Sequence, residues 1–481
     1  MTWPARLVST LVAAAVLAGC AIGPDYKRPT ITNPETFRGQ VMTEAASLAD
    51  APWWEAFQDP ILKNLIQEAL RNNYDVSIAA ARVREARANL TVSRSDFFPS
   101  LDYDASAARG KVTPGILGGV GGPSLRANNA YSASMSMSWE LDIWGRIRRL
   151  NEAARATLFS TEDARRGVWL TLFSDLAQAY FELLELDVQL QIARNSTQAY
   201  QRTYNLFLDR FNLGVASKLE TSRALGALGE AEATVPQLES NIVAKENQIS
   251  ILLGRSPSPI PRGQPMYDQP VVPTVPAGLP SALLERRPDL RQAEDQLVAA
   301  NARIGVAKAE FFPKLSLTAL FGTSSPELSA LTGGSATIWA VGGALSGPLL
   351  NAGRTLGGYR ASIAQWEQVR LQYEQAVLTA LREVSDTLTQ LGKFSEAETG
   401  QDTAVRALAE AVDHATDRYR QGLANYFEVL EAQQQLYPAQ TTLAQIRRTR
   451  LVTYVQLYRA LGGGWNLTDT QWTGQASAET K

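Results

Sequence analysis

Hydrophobic and polar residues alternate strictly in two stretches of the first half of the chain. Leu101, Tyr103, Ala105 and Ala107 mark the first. Tyr131, Ala133, Met135, Met137, Trp139 and Leu141 mark the second, with Ser132, Ser134, Ser136, Ser138 and Glu140 between them. A period of two puts successive side chains on opposite faces of a strand, so one face is apolar and the other polar. The pattern predicts strands at about 100–110 and 130–142. The second half repeats it with Leu315, Leu317, Ala319 and Phe321, then Trp339, Val341 and Leu345, for strands at about 314–323 and 337–349, although Gly342 and Gly343 weaken the last. Ordinary soluble sheets carry such strands too. Here each is about ten residues, the length that crosses a bilayer at a tilt, and Tyr131 and Trp139 flank the apolar band as an interfacial girdle would. Long glycine-rich loops are expected at 110–129 and 323–337.

The remainder reads as helix. Residues 146–212 hold no proline and one glycine, and Leu170, Phe173, Leu176, Ala177, Tyr180 and Leu184 recur at helical spacing. At roughly 1.5 Å per residue this helix would run about 100 Å. Residues 354–421 match it in length. Gly214 and Gly422 suit left-handed helix stops, and Ser217 and Asn425 are good N-caps for return helices at 218–253 and 426–461. Pro236 and Pro438 are expected to kink or break those return helices.

The two halves are copies. Residues 70–101 match 284–315 at an offset of 214, pairing Asp75 with Asp289 and Phe97-Phe98-Pro99 with Phe311-Phe312-Pro313. A second block aligns at an offset of 208, pairing Arg210 with Arg418, Gly214 with Gly422 and Glu220 with Glu428. The net difference of six residues falls between the blocks, in the expected loop between strands, where indels cost little. Residues 61–254 are thus repeat one and 281–464 repeat two, joined by the proline-rich linker 255–280. Residues 20–60 and 465–481 look irregular. Four strands cannot close a barrel, and open edges are not tolerated in lipid, so several chains must share one wall.

Composition removes most alternatives. Lysine plus arginine number 46 against 48 acidic residues, which leaves no footprint for nucleic acid. The single histidine, His414, reads as a solvated helix residue, and with one cysteine the chain lacks material for zinc or a Cys/His nucleophile pair, so neither metal nor catalytic residues are expected. Residues 1–19 have the charged start and apolar stretch of an export signal, ending Leu17-Ala18-Gly19-Cys20 like a bacterial lipobox. Cys20 would then carry acyl chains, the only covalent group expected and no other cofactor, and Ala21 after it implies sorting to the outer membrane.

The chain resembles the TolC-like outer-membrane factor family, in its lipoprotein branch serving tripartite RND-type pumps. The resemblance rests on Gly23-Pro24-Asp25-Tyr26-Lys27-Arg28-Pro29, Trp53-Trp54 with Phe57 and Asp59-Pro60, both Phe-Phe-Pro turns, Glu285-Arg286-Arg287-Pro288-Asp289, Arg418-Tyr419-Arg420-Gln421-Gly422 and Ala460-Leu461-Gly462-Gly463-Gly464-Trp465. It implies a mainly α protein with a membrane β-barrel: a homotrimer whose twelve-stranded barrel continues into a twelve-helix periplasmic tube. It also implies docking to a periplasmic adaptor and an inner-membrane pump that supplies the energy, the chain itself being a passive exit duct and not an enzyme. Family members narrow at the periplasmic end through carboxylates on the last return helix, and that pattern falls here on Tyr419, Gly422, Glu428, Glu431 and Ala432; Phe427, four residues before Glu431, shares its helix face and joins the candidates for the constriction. Gln434 stands where some relatives carry arginine, which weakens any locking salt bridge there. The hairpin tips, Gly214, Val215, Ala216 and Ser217 with Gly422, Leu423, Ala424 and Asn425, are candidates for adaptor contact, or plain turns. A duct for protein export and a lipid-tethered coiled-coil scaffold are the competing readings.

Overall fold

The computed structural model describes residues 21–31, 34–39, 50, 59–110, 128–269, 277–278, 280–464 and 466–468. The leader with Cys20, the Trp53-Trp54 pair and Phe57, the loop residues 111–127, linker residues 270–276 and 279, Trp465 and most of the tail lie outside them. In chain order the elements are α1 (Pro60–Asn72), α2 (Tyr74–Ser95), β1 (Ser100–Gly110), β2 (Asn128–Leu141), α3 (Arg146–Asn212), α4 (Lys218–Leu252), α5 (Leu283–Arg286), α6 (Pro288–Ala309), β3 (Lys314–Ser325), β4 (Thr337–Ser346), α7 (Arg354–Arg420) and α8 (Tyr426–Ala460). The chain divides into two compact units, one comprising Met1–Pro29, Val83–Thr161 and Ala293–Tyr373, the other Thr30–Arg82, Glu162–Gln292 and Glu374–Lys481.

The first unit holds one antiparallel sheet in the order β1-β2-β3-β4. Residues paired across a ladder share a face, so the register turns the alternation of single strands into a two-faced sheet. Tyr103, Met135, Phe321 and Trp339 stand opposite one another in one row, and Leu101, Met137, Ala319 and Val341 in the next. The other face carries Ser100, Ser138, Thr318 and Gly342, with Ser100 and Ser138 hydroxyls 2.9 Å apart. Much of the apolar face is bare, with Tyr103 87%, Val341 79% and Trp339 73% exposed, while Trp139 on the same face is part-buried and donates to Phe97 O at 3.1 Å. β1 and β4 are open edges. β4 stops at Ser346, short of the expected 349, because Pro348 has no N–H to continue a ladder.

The helices enter this sheet through tight turns in which Phe98 N donates to Ser95 O at 2.9 Å and Phe312 N to Ala309 O at 3.0 Å. The segment after residue 20 lies along the unit as a strap. Asp25 accepts from Arg149 Nη2 at 2.7 Å, Tyr26 donates to Glu294 at 3.0 Å, and Arg28 holds both Glu294 oxygens at 2.6 Å. Val83, Leu90 and Leu158 form a small core beneath.

In the second unit the apolar stripe of α3 is buried throughout, Phe173, Leu176, Ala177 and Tyr180 completely. Trp169, Leu172, Phe181 and Leu183 are buried as well, so this part of the helix is covered around most of its circumference. Phe173 meets Tyr458 of α8 with ring centroids 5.5 Å apart. Each such side chain stabilises the fold by about 1.5–3 kcal/mol.

Asp59 is the polar centre of this unit. Its carboxylate, 1% exposed, caps α1 by accepting from Ile61 and Leu62 N–H, and on its other oxygen accepts from Tyr180 Oη at 2.9 Å, Gln264 N at 3.1 Å and Gln269 Nε2 at 2.8 Å. A buried carboxylate without a cation is tolerable because hydrogen bonds replace its hydration. The described part of the linker is also fixed by Arg262, whose Nε lies 2.8 Å from Asp187.

Of the expected kink or break at Pro236 and Pro438, the break does not occur; both prolines lie inside continuous helices. Each proline removes one N–H donor, and packing on either side, from Leu228 to Leu238 and Ile242 in α4 and from Leu430 and Leu436 to Leu443 in α8, holds the helix through the defect.

Candidate functional site

The site is built from the ends of α3 and α7 and the starts of α4 and α8, all within the second unit. Both turns end their long helix in the same way. Val215 N donates to Arg210 O at 2.9 Å and Gly214 N to Phe211 O at 2.9 Å; Leu423 N donates to Arg418 O at 2.8 Å and Gly422 N to Tyr419 O at 3.0 Å. This paired pattern needs a left-handed residue, and Gly214 and Gly422 supply it at φ +77° and +74°.

The restarts differ. Ser217 accepts from Glu220 N while Glu220 reaches back to Ser217 N at 2.6 Å, a closed capping box. Asn425 makes no side-chain cap, and Glu428, the copy of Glu220, instead lies 3.8 Å from Arg418 Nε. Repeat two has thus released this carboxylate from a local structural task.

Of the residues expected at the constriction, Phe427, Glu428 and Glu431 are all exposed on α8. Arg223 of α4 lies over the Phe427 ring at 5.8 Å, and Gln435 donates to Glu431 at 3.5 Å. Tyr419 lies elsewhere. Its ring is half-buried against Phe207 and Tyr426, at 5.9 and 6.2 Å, and its hydroxyl accepts from Arg210 Nη1 of the other hairpin. Tyr419 therefore holds the two hairpins together, while the other three present themselves to solvent.

The aromatic packing around it went unread in the sequence. Tyr200, Phe207, Ala224, Leu228, Tyr426, Val429 and Leu430 form a core drawn from α3, α4 and α8, with Tyr419, Tyr204 and Tyr437 against it. Tyr200 and Phe207 recur seven residues apart within α3, a spacing that marks helix–helix seams. Burial pushes the Tyr200 hydroxyl up to about 12 and raises that of Tyr426 as well, so both stay neutral. The tips themselves are apolar and bare, with Leu213 77% and Leu423 66% exposed, and Val215 exposed as well. His414 is exposed on α7. Among the described residues no group of side chains could hold a metal ion.

The family model described as outer membrane efflux protein matches residues 65–255 and 279–463. The chain is 35% identical over 481 residues to the probable efflux pump outer membrane protein TtgC of Pseudomonas putida, covering 98% of this chain and 99% of that protein. It is 32% identical over 455 residues to the probable outer membrane lipoprotein SilC of Salmonella typhimurium, covering 94% of this chain and 97% of that one. Among solved structures, the outer-membrane channel OprN superposes with a TM-score of 0.84 at 30% identity, covering 93% of this chain and all of the OprN chain.

Proposed function

The chain belongs to the outer membrane efflux protein family, and from that premise we propose that it is the outer-membrane exit duct of a tripartite system, passing drugs or other small toxic compounds that an inner-membrane pump expels through a periplasmic adaptor. The observation that carries the reading is the sheet: one largely apolar face, a second face dominated by serines with Thr318, Gly322, Gly342, Asp102 and Asp104 but also holding Leu320, Ile338 and Ala340, and two unpaired edges. Lipid accepts only closed barrels, and four strands are too few to close one. Three copies close twelve strands, with the apolar rows toward lipid and the serine face lining a water-filled lumen. Among the described residues no helix is long and apolar enough to cross a membrane.

The remaining assignments follow from the same reading. Acyl chains on Cys20 anchor the chain in outer-membrane lipid, in keeping with the lipoprotein name of the Salmonella relative. Phe427 and Glu431, four apart on one exposed face of α8, narrow the periplasmic end, with Glu428 beside them. The bare leucines and valine of the two tips receive the adaptor. The duct binds no nucleic acid and performs no chemistry.

The purified protein, inserted into a planar bilayer, should give discrete single-channel currents and migrate as a heat-dissociable trimer. A monomer that carries no current would end this reading. Replacing Cys20 by serine should abolish incorporation of labelled palmitate while trimers still form.

A further inference from the structure

The strand ladders obey the duplication residue for residue. Moving β1 by 214 and β2 by 208 turns the pair Leu101 and Met137 into Leu315 and Leu345, and the pair Tyr103 and Met135 into Leu317 and Gly343. Both products are pairs of the ladder between β3 and β4. Offsets taken from the sequence thus carry register as well as fold.

The same operation has a second product. Applied to the ladder between β2 and β3, it moves β2 onto β4 and β3 back onto β1. Leu141 opposite Leu315 becomes Leu349 with Leu101, Met137 opposite Ala319 becomes Leu345 with Ala105, and Ser136 opposite Leu320 becomes Ala344 with Ser106. Within one chain these residues cannot meet, because β1 and β4 are opposite edges of the sheet, about 14 Å apart across three strand spacings. Only a second copy can bring them together.

Both edges suit that pairing. Leu345 beside Ala105 and Gly343 beside Ala107 continue the largely apolar face across the seam, whereas a slip of one residue would set Leu345 beside Asp104 or Ser106. At the foot of the sheet the matching contact inside the chain is closed by Trp144, which stacks on Phe312 at 4.7 Å and donates Nε1 to Pro313 O at 2.8 Å. The copies of Trp144 and Phe312 are Ala352 and Phe98. Ala352 has no ring to offer and stands at φ +50°, a left-handed backbone that is costly for alanine. Phe98 is 70% exposed, and Leu349 and Leu350, just before Ala352, are bare. A slip of two residues would keep the faces but carry Leu349 away from Leu101 and Phe98.

We infer that β4 of one copy pairs antiparallel with β1 of a second copy in this one register, Gly343 opposite Ala107 and Leu345 opposite Ala105, with Leu349 closing on Leu101 beside Phe98. The inference rests on the barrel reading of the sheet and assigns the residues of its seam.

The test introduces two cysteines into the full-length chain, Leu345→Cys with Ala105→Cys and, separately, Ala344→Cys with Ser106→Cys, and oxidises outer-membrane fractions. All four residues are exposed in the single chain, and Cys20 is the only other cysteine, for which the single variants are the controls. Successive pairs of an antiparallel ladder alternate between a Cα separation of about 4.5 and about 5.5 Å, so the two choices sample both kinds. Covalent dimers and trimers that revert to monomers in reductant are expected. The slipped combinations of Leu345→Cys with Tyr103→Cys or with Ala107→Cys should link several times less, being diagonal neighbours beyond the reach of a disulfide. Producing a Leu345→Cys chain together with an Ala105→Cys chain repeats the measurement with one substitution in each. Slipped pairs that link as well as the matched ones would overturn the register. So would unlinked chains in both matched pairs while the same variants, before oxidation, still run as heat-dissociable trimers; the duct would survive that result. An unaltered protein giving neither trimers nor current would end the duct and its seam together.

Discussion

Arg287 places Nη1 3.0 Å from the main-chain oxygen of Ala460, at the end of α8, and Asn73 places Nδ2 2.9 Å from that of Leu252, at the end of α4. The residues are 214 apart and do the same work in the two halves: each ties the C-terminus of a return helix to the start of a repeat. Arg287 also binds Asp289 through two nitrogens, at 3.0 and 2.7 Å, and Glu383 at 2.8 Å. The facing glycines fit the same plan, since a Cβ on Gly254 would lie 2.3 Å from Asn72 O and one on Gly462 2.9 Å from the Arg286 carbonyl carbon. The cationic copy is the more demanding, because its removal takes a partner from two part-exposed carboxylates as well as from a carbonyl. Arg287→Ala should lower stability by about 2–3 kcal/mol and Asn73→Ala by about 1 kcal/mol. Thermal unfolding of the assembled protein orders the two, and equal shifts would refute the ranking.

Asp163 and Asp289 give stability opposite slopes in acid. Burial raises the Asp163 carboxyl above its ordinary 3.8, against the pull of Arg291 and Arg166. Burial also pushes Asp289 up, but the hydrogen bond and charge of Arg287 outweigh it and hold that carboxyl below 3.8. A raised carboxyl keeps in the folded chain a proton that the unfolded chain has lost. Its contribution is full below 3.8 and disappears as pH rises through the folded value; that of a lowered carboxyl is full above 3.8 and disappears as pH falls through the folded value. Denaturant midpoints across the acid range should therefore show Asp163→Asn flattening the decline above 3.8 and Asp289→Asn flattening the one below it.

The unequal restarts of α4 and α8 predict unequal responses to alanine. Ser217→Ala removes a working cap and should cost about 1 kcal/mol, whereas Asn425→Ala removes a side chain that caps nothing and should be nearly neutral. Glu428→Ala breaks only an exposed pair and should cost a few tenths of a kcal/mol at most. Amide exchange in the first turns of the two helices resolves the difference, and similar protection losses at both would contradict it.

Replacing Phe427 and Glu431 together by alanine should raise single-channel conductance and sensitise cells to antibiotics. Both side chains are exposed, so thermal stability should barely change. Unaltered current would remove them from the constriction.

Period-two alternation is a local signal, and so the four strands and their two faces could be read from serines and hydrophobic residues alone. The duplication was legible for a related reason: long helices in a shared seam do not tolerate insertions, so Gly214 and Gly422 stay in step. At the prolines the break did not occur, because helix propensity is a local cost that flanking packing overrode. Tyr419 could not be separated from Phe427 and Glu431 in the sequence, because which side of a helix faces its neighbour depends on the neighbour. Asn73, Asp59 and Arg287 were invisible as partners for the same reason: their contacts join segments more than a hundred residues apart.

Those distances along the chain bear on how the protein assembles. The donors that reach Asp59 from outside α1 come from positions 121, 205 and 210 residues away, so the clasp shuts only after α3 has formed and the linker has returned across it. Such late contacts govern how fast the finished molecule comes apart more than how fast it is made. Removing that one buried carboxylate should therefore shorten the life of the assembled duct more than it slows its assembly.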